Sequence, residues 1–270
     1  MRFGRITVAI AAVGVAIGLA ACGGGGGGAG TTVKIGIKFD QPGLGLKSGA
    51  DYTGMDVDLA KYIAKELNLG TPEFVEAVSA QRETLISTGQ VKYVVGTYSI
   101  TDARKQTVSF AGPYFIAGQD LLVRADDTSI TGVESLAGKK LCSVKGSTSA
   151  KNVAAKVPGV NLQEYDTYTL CVDALLAKNV DALTTDDTIL AGYASQEANK
   201  GKLKVVGKTF STEKYGVGLK KGDVEFCTKV TDAIKKYVSS GEWQKSVEKN
   251  LGPAGYKPGT GNPPTPDACS

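Results

Sequence analysis

The segment VVGTYSITDARKQ (94–106) sets Thr97, Ser99 and Thr101 within five residues of one another, directly after an apolar run, and adds Arg104 three residues on. A guanidinium presents a rigid fork of donors that matches the two oxygens of a carboxylate. Hydroxyls and free N–H groups at a helix start supply further donors. Such a cluster suits an anionic group, although the same residues would also make a capped surface turn beside a solvated arginine. Two more stretches carry the same ambiguity. In KGSTSAKN (145–152), Ser147, Thr148 and Ser149 open a helix and either cap it or offer its N–H groups, Thr148 foremost, to an anion. In LTTDD (183–187), Asp186 and Asp187 either cap a helix or give a carboxylate to an ammonium group.

Residues of this kind act together only if the chain brings them to one edge of a sheet. The pattern is suited to that. Short apolar runs such as VKIGI (33–37), PEFVEAV, VKYVVGT and QDLLVR alternate with amphipathic stretches such as MDVDLAKYIAKELN and QRETLIST. From residue 138 the alternation starts again, through GKKLCSV, STSAKNVAAK, NLQEYD, LCVDALLAK, VDALTT, DDTILAGYASQE and LKVVG, and KYGVGLK then precedes two further helical stretches. This predicts α/β architecture with mainly parallel sheets and helices on both faces. Polar breaks near 124–132 and 207–214 predict two units in series. In open α/β sheets, ligands collect at the carboxyl ends of the strands, where the clusters above lie.

The N-terminus is set aside from the fold. Arg2 and Arg5 precede an uncharged run at 6–20, too short to cross a bilayer core, and small residues follow. This is the pattern of a secretory signal peptide at 1–21. Its end, LAAC (19–22), resembles the lipobox of bacterial lipoproteins, which would make Cys22 a lipid-bearing residue. The glycine run after it, within 22–32, would be a flexible tether.

An exported chain changes how the cysteines read. Besides Cys22 there are Cys142, Cys171, Cys227 and Cys269, an even number that suggests two disulfides in any of three pairings. The sequence contains no His, which excludes Ser–His and Cys–His catalysis. It contains no CxxC pair either, which argues against a structural zinc site. The net charge of +4 is scattered over 270 residues without a basic block, so nucleic-acid binding has no support.

The motifs GMDVDLAKYIAKEL, QRETLISTGQV, SITDARKQTVSFAGPYFIAGQDLLV, GSTSAKN and VDALTTDDTILAGYA stand in the order seen in polar amino-acid-binding proteins of ABC importers. The chain therefore resembles the family 3 solute-binding proteins, and within them the actinobacterial glutamate-binding lipoproteins. Met55 and Lys92 depart from the family's usual residues at positions expected to lie away from the ligand.

The resemblance implies a periplasmic-binding-protein clamshell of two α/β lobes joined by two hinge crossovers. The expected boundaries are 33–124 plus 213–251 for the first lobe and 125–212 for the second, with a Gly/Pro tail at 252–270. It implies Arg104 on the ligand α-carboxylate, Thr97 and Ser99 touching the α-amino and carboxylate groups, and Asp186 on the α-ammonium. Thr101 and, as an anion contact from the opposite lobe, Thr148 join the expected ligand-binding set. It also implies Arg82 on a side-chain carboxylate. Lys38 is a second candidate cation, and Phe39 a surface for the ligand's aliphatic part. A disulfide between lobes would oppose hinge closure, so the expected pairs are Cys142–Cys171 and Cys227–Cys269, the latter pinning the tail to the first lobe.

The implied function is not enzymatic. A monomer on the outer face of the cell membrane would capture L-glutamate or L-aspartate and deliver it to a permease and its ATPase, without metal or cofactor. Glutamine or asparagine as ligand, a receptor-linked sensor, and a dehydratase of prephenate-like acids are the alternatives.

Overall fold

The computed structural model describes Met1, Gly4 and Thr31–Ser270. The expected signal peptide apart from Met1 and Gly4, Cys22 and nearly all of the expected tether lie outside the described residues. Among the described residues no helix is long and apolar enough to cross a membrane.

From the N-terminal side, β1 (Thr32–Ile37) is followed by a small meander, β2 (Asp40–Gln41), β3 (Gly45–Ser48) and β4 (Asp51–Thr53), and by helix α1 (Met55–Glu66). Asp56 and Asp58 sit in the first turn of α1, where they complement the helix dipole. Its Val57, Leu59, Ala60, Ile63 and Ala64 are buried. Next come β5 (Thr71–Glu76), α2 (Arg82–Ser87), β6 (Tyr93–Val94), α3 (Asp102–Lys105) and β7 (Val108–Ala117). Then β8 (Gln119–Arg124), β9 (Lys140–Val144), α4 (Thr148–Lys156), β10 (Asn161–Tyr165), α5 (Tyr168–Leu176), β11 (Ala182–Asp186), α6 (Asp187–Ser195) and β12 (Leu203–Val205) make a second unit. The chain returns through β13 (Glu213–Lys220), α7 (Val224–Ser239) and α8 (Glu242–Asn250).

The strands form two five-stranded sheets of order β5-β1-β6-β13-β7 and β10-β9-β11-β8-β12, beside the three-stranded β2-β3-β4 meander. Helices α1, α2, α3, α7 and α8 pack on the first sheet, and α4, α5 and α6 on the second. The fold is thus the two-lobed clamshell. The sheets are more mixed than the alternation suggested. Strands β1, β5 and β6 run parallel, as do β9, β10 and β11, whereas β13 and β8 each pair antiparallel with both neighbours.

Two features correct the sequence reading. The boundary expected at 124/125 falls at Gly118 instead. β8 lies inside the second sheet, paired with β11 and β12, so the polar loop at 124–132 follows a strand of that lobe rather than joining the lobes. Its burial explains the placement: Gln119–Val123 are all buried and need cover on both faces. The return crossing lies between Val205 and Glu213. Also, the sequence pattern assigns no strand to 108–117, whereas β7, at 10 residues, is the longest strand among the described residues. Its Gly112–Pro113 pair argues against a strand, because proline cannot donate to a ladder. The conflict is resolved by position. β7 is an edge strand, and its ladder with β13 is irregular between Tyr215 and Val217.

That edge is covered by the tail. Phe110 and Ser270 exchange backbone hydrogen bonds, and Asp267 N donates to Gly112 O. The Asn262 amide brackets the Ile116 main chain, accepting from its N–H and donating to its C=O. Capping an edge in this way removes a template for aggregation. Cys227 and Cys269 are disulfide-bonded with Cα atoms 6.0 Å apart, and Cys142 and Cys171 with Cα atoms 5.6 Å apart. A Cys269→Ser substitution is expected to cost about 2–4 kcal/mol. In a chain of this size that lowers Tm by roughly 4–16 °C, readable by calorimetry. An unchanged Tm would mean that the backbone pairing alone holds the tail.

Candidate functional site

The clusters noted in the sequence converge at the carboxyl ends of the parallel strands, on the faces that the lobes turn toward each other. Lys38 leaves β1. Arg82 follows β5 through a short turn of 3₁₀ helix at Ser79–Gln81, and Thr97 to Arg104 follow β6. From the other lobe, Gly146 to Thr148 follow β9, and Asp186 ends β11. The lobes meet here. The Ser99 and Thr148 hydroxyls are 3.2 Å apart, Arg104 Nη2 donates to Gly146 O at 3.0 Å, and Tyr215 OH donates to Asp186 Oδ2 at 2.6 Å.

Arg104 is almost wholly buried. Its Nη1 donates to Ser99 O at 2.8 Å, and its Nε lies 3.4 Å from Glu83 Oε1. Each terminal nitrogen therefore keeps one N–H without a protein partner among the described residues, in the fork geometry that accepts a carboxylate. Burial, reinforced by the Arg82 charge, brings Arg104 down to about 10, which leaves it protonated at neutral pH. Thr101 serves differently from expectation: its hydroxyl caps α3 by accepting from Arg104 N, so it orients the arginine.

Arg82 and Lys38 stand apart from Arg104 in one respect. Exposed by 2 % and 1 %, they form no ion pair among the described residues. Arg82 Nη1 donates to Gly96 O at 2.9 Å and Thr97 O at 3.4 Å, while its Nε is buried with no partner. Lys38 Nζ donates to Ser79 Oγ at 3.3 Å. Burial pulls Lys38 down to about 8, with Asp40 opposing the shift and Arg82 adding to it. The glutamate partner that an exposed helix arginine would take belongs to Arg104, not Arg82.

On the opposite wall, Asp186 stands at the N-cap position of α6 but makes no capping bond, and its Oδ1 is buried without a partner. Asp187 is engaged elsewhere, accepting from Gly118 N at the crossover and from Tyr256 OH of the tail. Of the two carboxylates, it is Asp186 that remains available. Burial, then the nearby Glu213 charge, raises it to about 8. An approaching ammonium would favour its ionised form. Thr148 begins α4 and also accepts from Gln119 Nε2 at 3.2 Å, while Ser147 caps the helix through Ala150 N. The capping reading of the GSTS stretch thus holds for Ser147, while Thr148 turns its hydroxyl to Ser99 of the opposite lobe.

Thr97 has φ of 44°, in the left-handed region that a β-branched residue seldom adopts. Its N–H donates to Asp56 Oδ2 at 2.9 Å and its hydroxyl to Gln41 Oε1 at 3.1 Å. These bonds hold the turn after β6 in place. Burial raises Asp56 to about 6, opposed by hydrogen bonds from Tyr114 OH and Thr97 N. Phe39 is not part of this cluster. Its half-buried ring packs on Tyr52 of β4 at 5.2 Å, with Lys47 Nζ 5.1 Å above it.

Several participants escaped sequence reasoning. Tyr98 presents its ring to both guanidiniums, with Arg82 Cζ at 4.1 Å and Arg104 Cζ at 5.0 Å. A π face between two like charges lowers the cost of holding both in one cleft. Gln41 has a buried, unpartnered Nε2, and Tyr215 orients Asp186. The signal for Tyr98 was present, as an aromatic between two hydroxyls in TYSIT. Gln41 and Tyr215 are far away in sequence and carried none. Orphaned polar atoms in buried positions are rare in folded chains. Here Arg82 Nε, Gln41 Nε2, Tyr98 OH, Thr185 Oγ1 and Asp186 Oδ1 are all of this kind.

Comparison with known proteins agrees with this geometry. Residues 33–253 match the bacterial extracellular solute-binding proteins, family 3. The chain is 46 % identical over 233 residues to the glutamate-binding protein GluB of Corynebacterium efficiens, covering 82 % of this chain and 79 % of that one. It is 37 % identical over 223 residues to the ABC transporter glutamine-binding protein GlnH of Bacillus subtilis, covering 80 % of each. The solved structure of an ancestral arginine-binding protein bound to glutamine superposes with a TM-score of 0.77 at 34 % identity, over 82 % of this chain and 98 % of that one. The two-lobed fold, the facing charge clusters and a match over most of the length agree, and the chain belongs to the bacterial extracellular solute-binding proteins, family 3.

Proposed function

We propose that this protein binds an acidic L-amino acid, glutamate or aspartate, between its lobes by hinge closure and presents it to the permease and ATPase of an importer. Family membership supplies the coarser assignment, an amino-acid solute-binding protein of an ABC transporter. The finer one rests on one observation: Lys38 and Arg82 are buried cations that form no ion pair among the described residues. A buried charge without a counter-charge is costly. A side-chain carboxylate would neutralise that pair, while Arg104 takes the α-carboxylate and Asp186 the ammonium. Thr97, Ser99 and Thr148 would complete the set.

In this reading the protein is a monomer on the outer face of the cell membrane, anchored through lipid on Cys22, and the lipobox-like LAAC supports that anchor. The domain reading becomes a first lobe up to Gly118 plus 213–251, a second lobe between the crossings, and the tail at 252–270.

Glutamine is the second reading, supported by GlnH. It would leave the two cations unpaired. An acid–base enzyme would need a cleft carboxyl of raised pKa, which Asp186 has, but an ammonium ligand explains the same residue without chemistry, and the relatives are solute-binding proteins. Titration calorimetry with Glu, Asp, Gln and Asn decides among the ligands. An acidic amino acid is expected to bind tightest, and equal affinity for Glu and Gln would overturn the assignment.

A further inference from the structure

We propose that Asp40 is a positioning residue that locks the lobes together, setting how long any ligand is held without taking part in choosing it. The proposal rests on the hinge-closure reading above but not on the identity of the ligand.

Helix α5 of the second lobe starts without a cap of its own. Its N-cap residue, Thr167, makes no side-chain hydrogen bond. The first N–H groups of a helix need acceptors from outside it. Here the acceptor comes from the other lobe. Asp40 Oδ2, in β2, accepts from Tyr168 N at 2.8 Å and lies 3.4 Å from Thr169 N. A carboxylate at this position also complements the helix dipole. The same residue meets α6: Tyr193 OH donates to the Asp40 carbonyl oxygen, and the Thr169 hydroxyl is 3.1 Å from Tyr193 OH. The approach is as close as glycine permits, because a Cβ at Gly192 would stand 2.2 Å from Pro42 O.

The contacts of Asp40 and the Gly192–Pro42 approach join elements of different lobes, the Thr169–Tyr193 contact ties α5 to α6 within the second, and none uses an atom that the ligand reading assigns to ligand contact. Lys38 leaves β1 and Asp40, two residues on, begins β2; they do different work, Lys38 in the cleft and Asp40 across it. Opening the lobes would strip the first turn of α5 of its acceptor. A group that stabilises only the closed form shifts the closing equilibrium by the same factor for every ligand.

The test is stopped-flow release of the tightest-binding amino acid, whichever it proves to be, from wild type, Asp40→Ala, Asp40→Asn and Tyr193→Phe, with thermal melts of each protein free and saturated. Loss of a helix cap predicts release about 2- to 30-fold faster in Asp40→Ala. The same factor is expected for a second, weaker ligand. Asparagine, itself a good cap, should restore most of the effect, and Tyr193→Phe should give a smaller acceleration. The Tm of the ligand-free protein should be unchanged, while the increment from ligand shrinks. Unchanged release would overturn the proposal. So would an equal loss of Tm in free and saturated protein, which would make Asp40 an ordinary structural cap. A change in the ratio between ligands would make it part of the recognition site instead. Because the assay follows the best ligand found, preference for an amide over glutamate would refute the acidic-ligand reading and leave this one standing.

Discussion

Arg104→Ala is expected to weaken every amino acid alike. The Arg104 side chain joins the turn after β6 to Gly146 of the opposite lobe and keeps one N–H on each terminal nitrogen without a partner among the described residues. Removing a buried, hydrogen-bonded charge from a recognition site costs roughly 2–5 kcal/mol. That is a fall in affinity of about 30- to 4000-fold. Because the α-carboxylate is common to all candidates, calorimetry should show the same factor for Glu, Asp, Gln and Asn. Glu83, left without its partner, is 28 % exposed at the side chain and can be solvated, so the free protein should melt close to wild type. A loss confined to the acidic ligands would move Arg104 to the side-chain end of the site and undo the orientation proposed for the ligand.

Arg82→Gln is expected to act on one ligand class only. The guanidinium is buried against Tyr98 and has Nε without a partner among the described residues, where Lys38 beside it also forms no ion pair. Deleting a charged hydrogen bond of this kind costs about 1.5–3 kcal/mol. Glutamate should lose that much and glutamine little, so the preference narrows or reverses. Lys38→Gln should push in the same direction, and the double variant shows whether the two cations act as one, since neighbouring charges are not additive. If Arg82→Gln lowers glutamate and glutamine equally, its bonds to the Gly96 and Thr97 carbonyls matter more than its charge, and its role is to hold the strained Thr97 turn.

How much of this was legible in the residues depends on the distance over which each feature is encoded. Helices α1 and α7 could be read because a 3.6-residue period is a local property of the chain. The cluster at 97–104 could be read because hydroxyls, a strand end and an arginine within eight residues constrain one another. β7 could not, because its glycine and proline are breakers unless the strand lies at an edge, and edges are defined by the other strands. Whether Asp186 or Asp187 faces the ligand also lay beyond the motif. Gly118 N and Tyr256 OH, from the crossover and the tail, occupy Asp187, whereas Asp186 keeps Oδ1 without a partner among the described residues.

By itself, the sequence determined the α/β alternation, the anion-suited turn around Arg104, and the cysteine pattern of an exported chain. Those follow from residue type and short-range spacing. Only the tertiary structure decided that β8 belongs to the second lobe, that Arg104 pairs with Glu83 while Arg82 and Lys38 form no ion pair among the described residues, and that Asp40 caps a helix 128 residues away. The physical reason is common to all three. Periodicity specifies which face of an element is buried, but the partner of a strand, a buried charge or a helix end is set by what packs across from it.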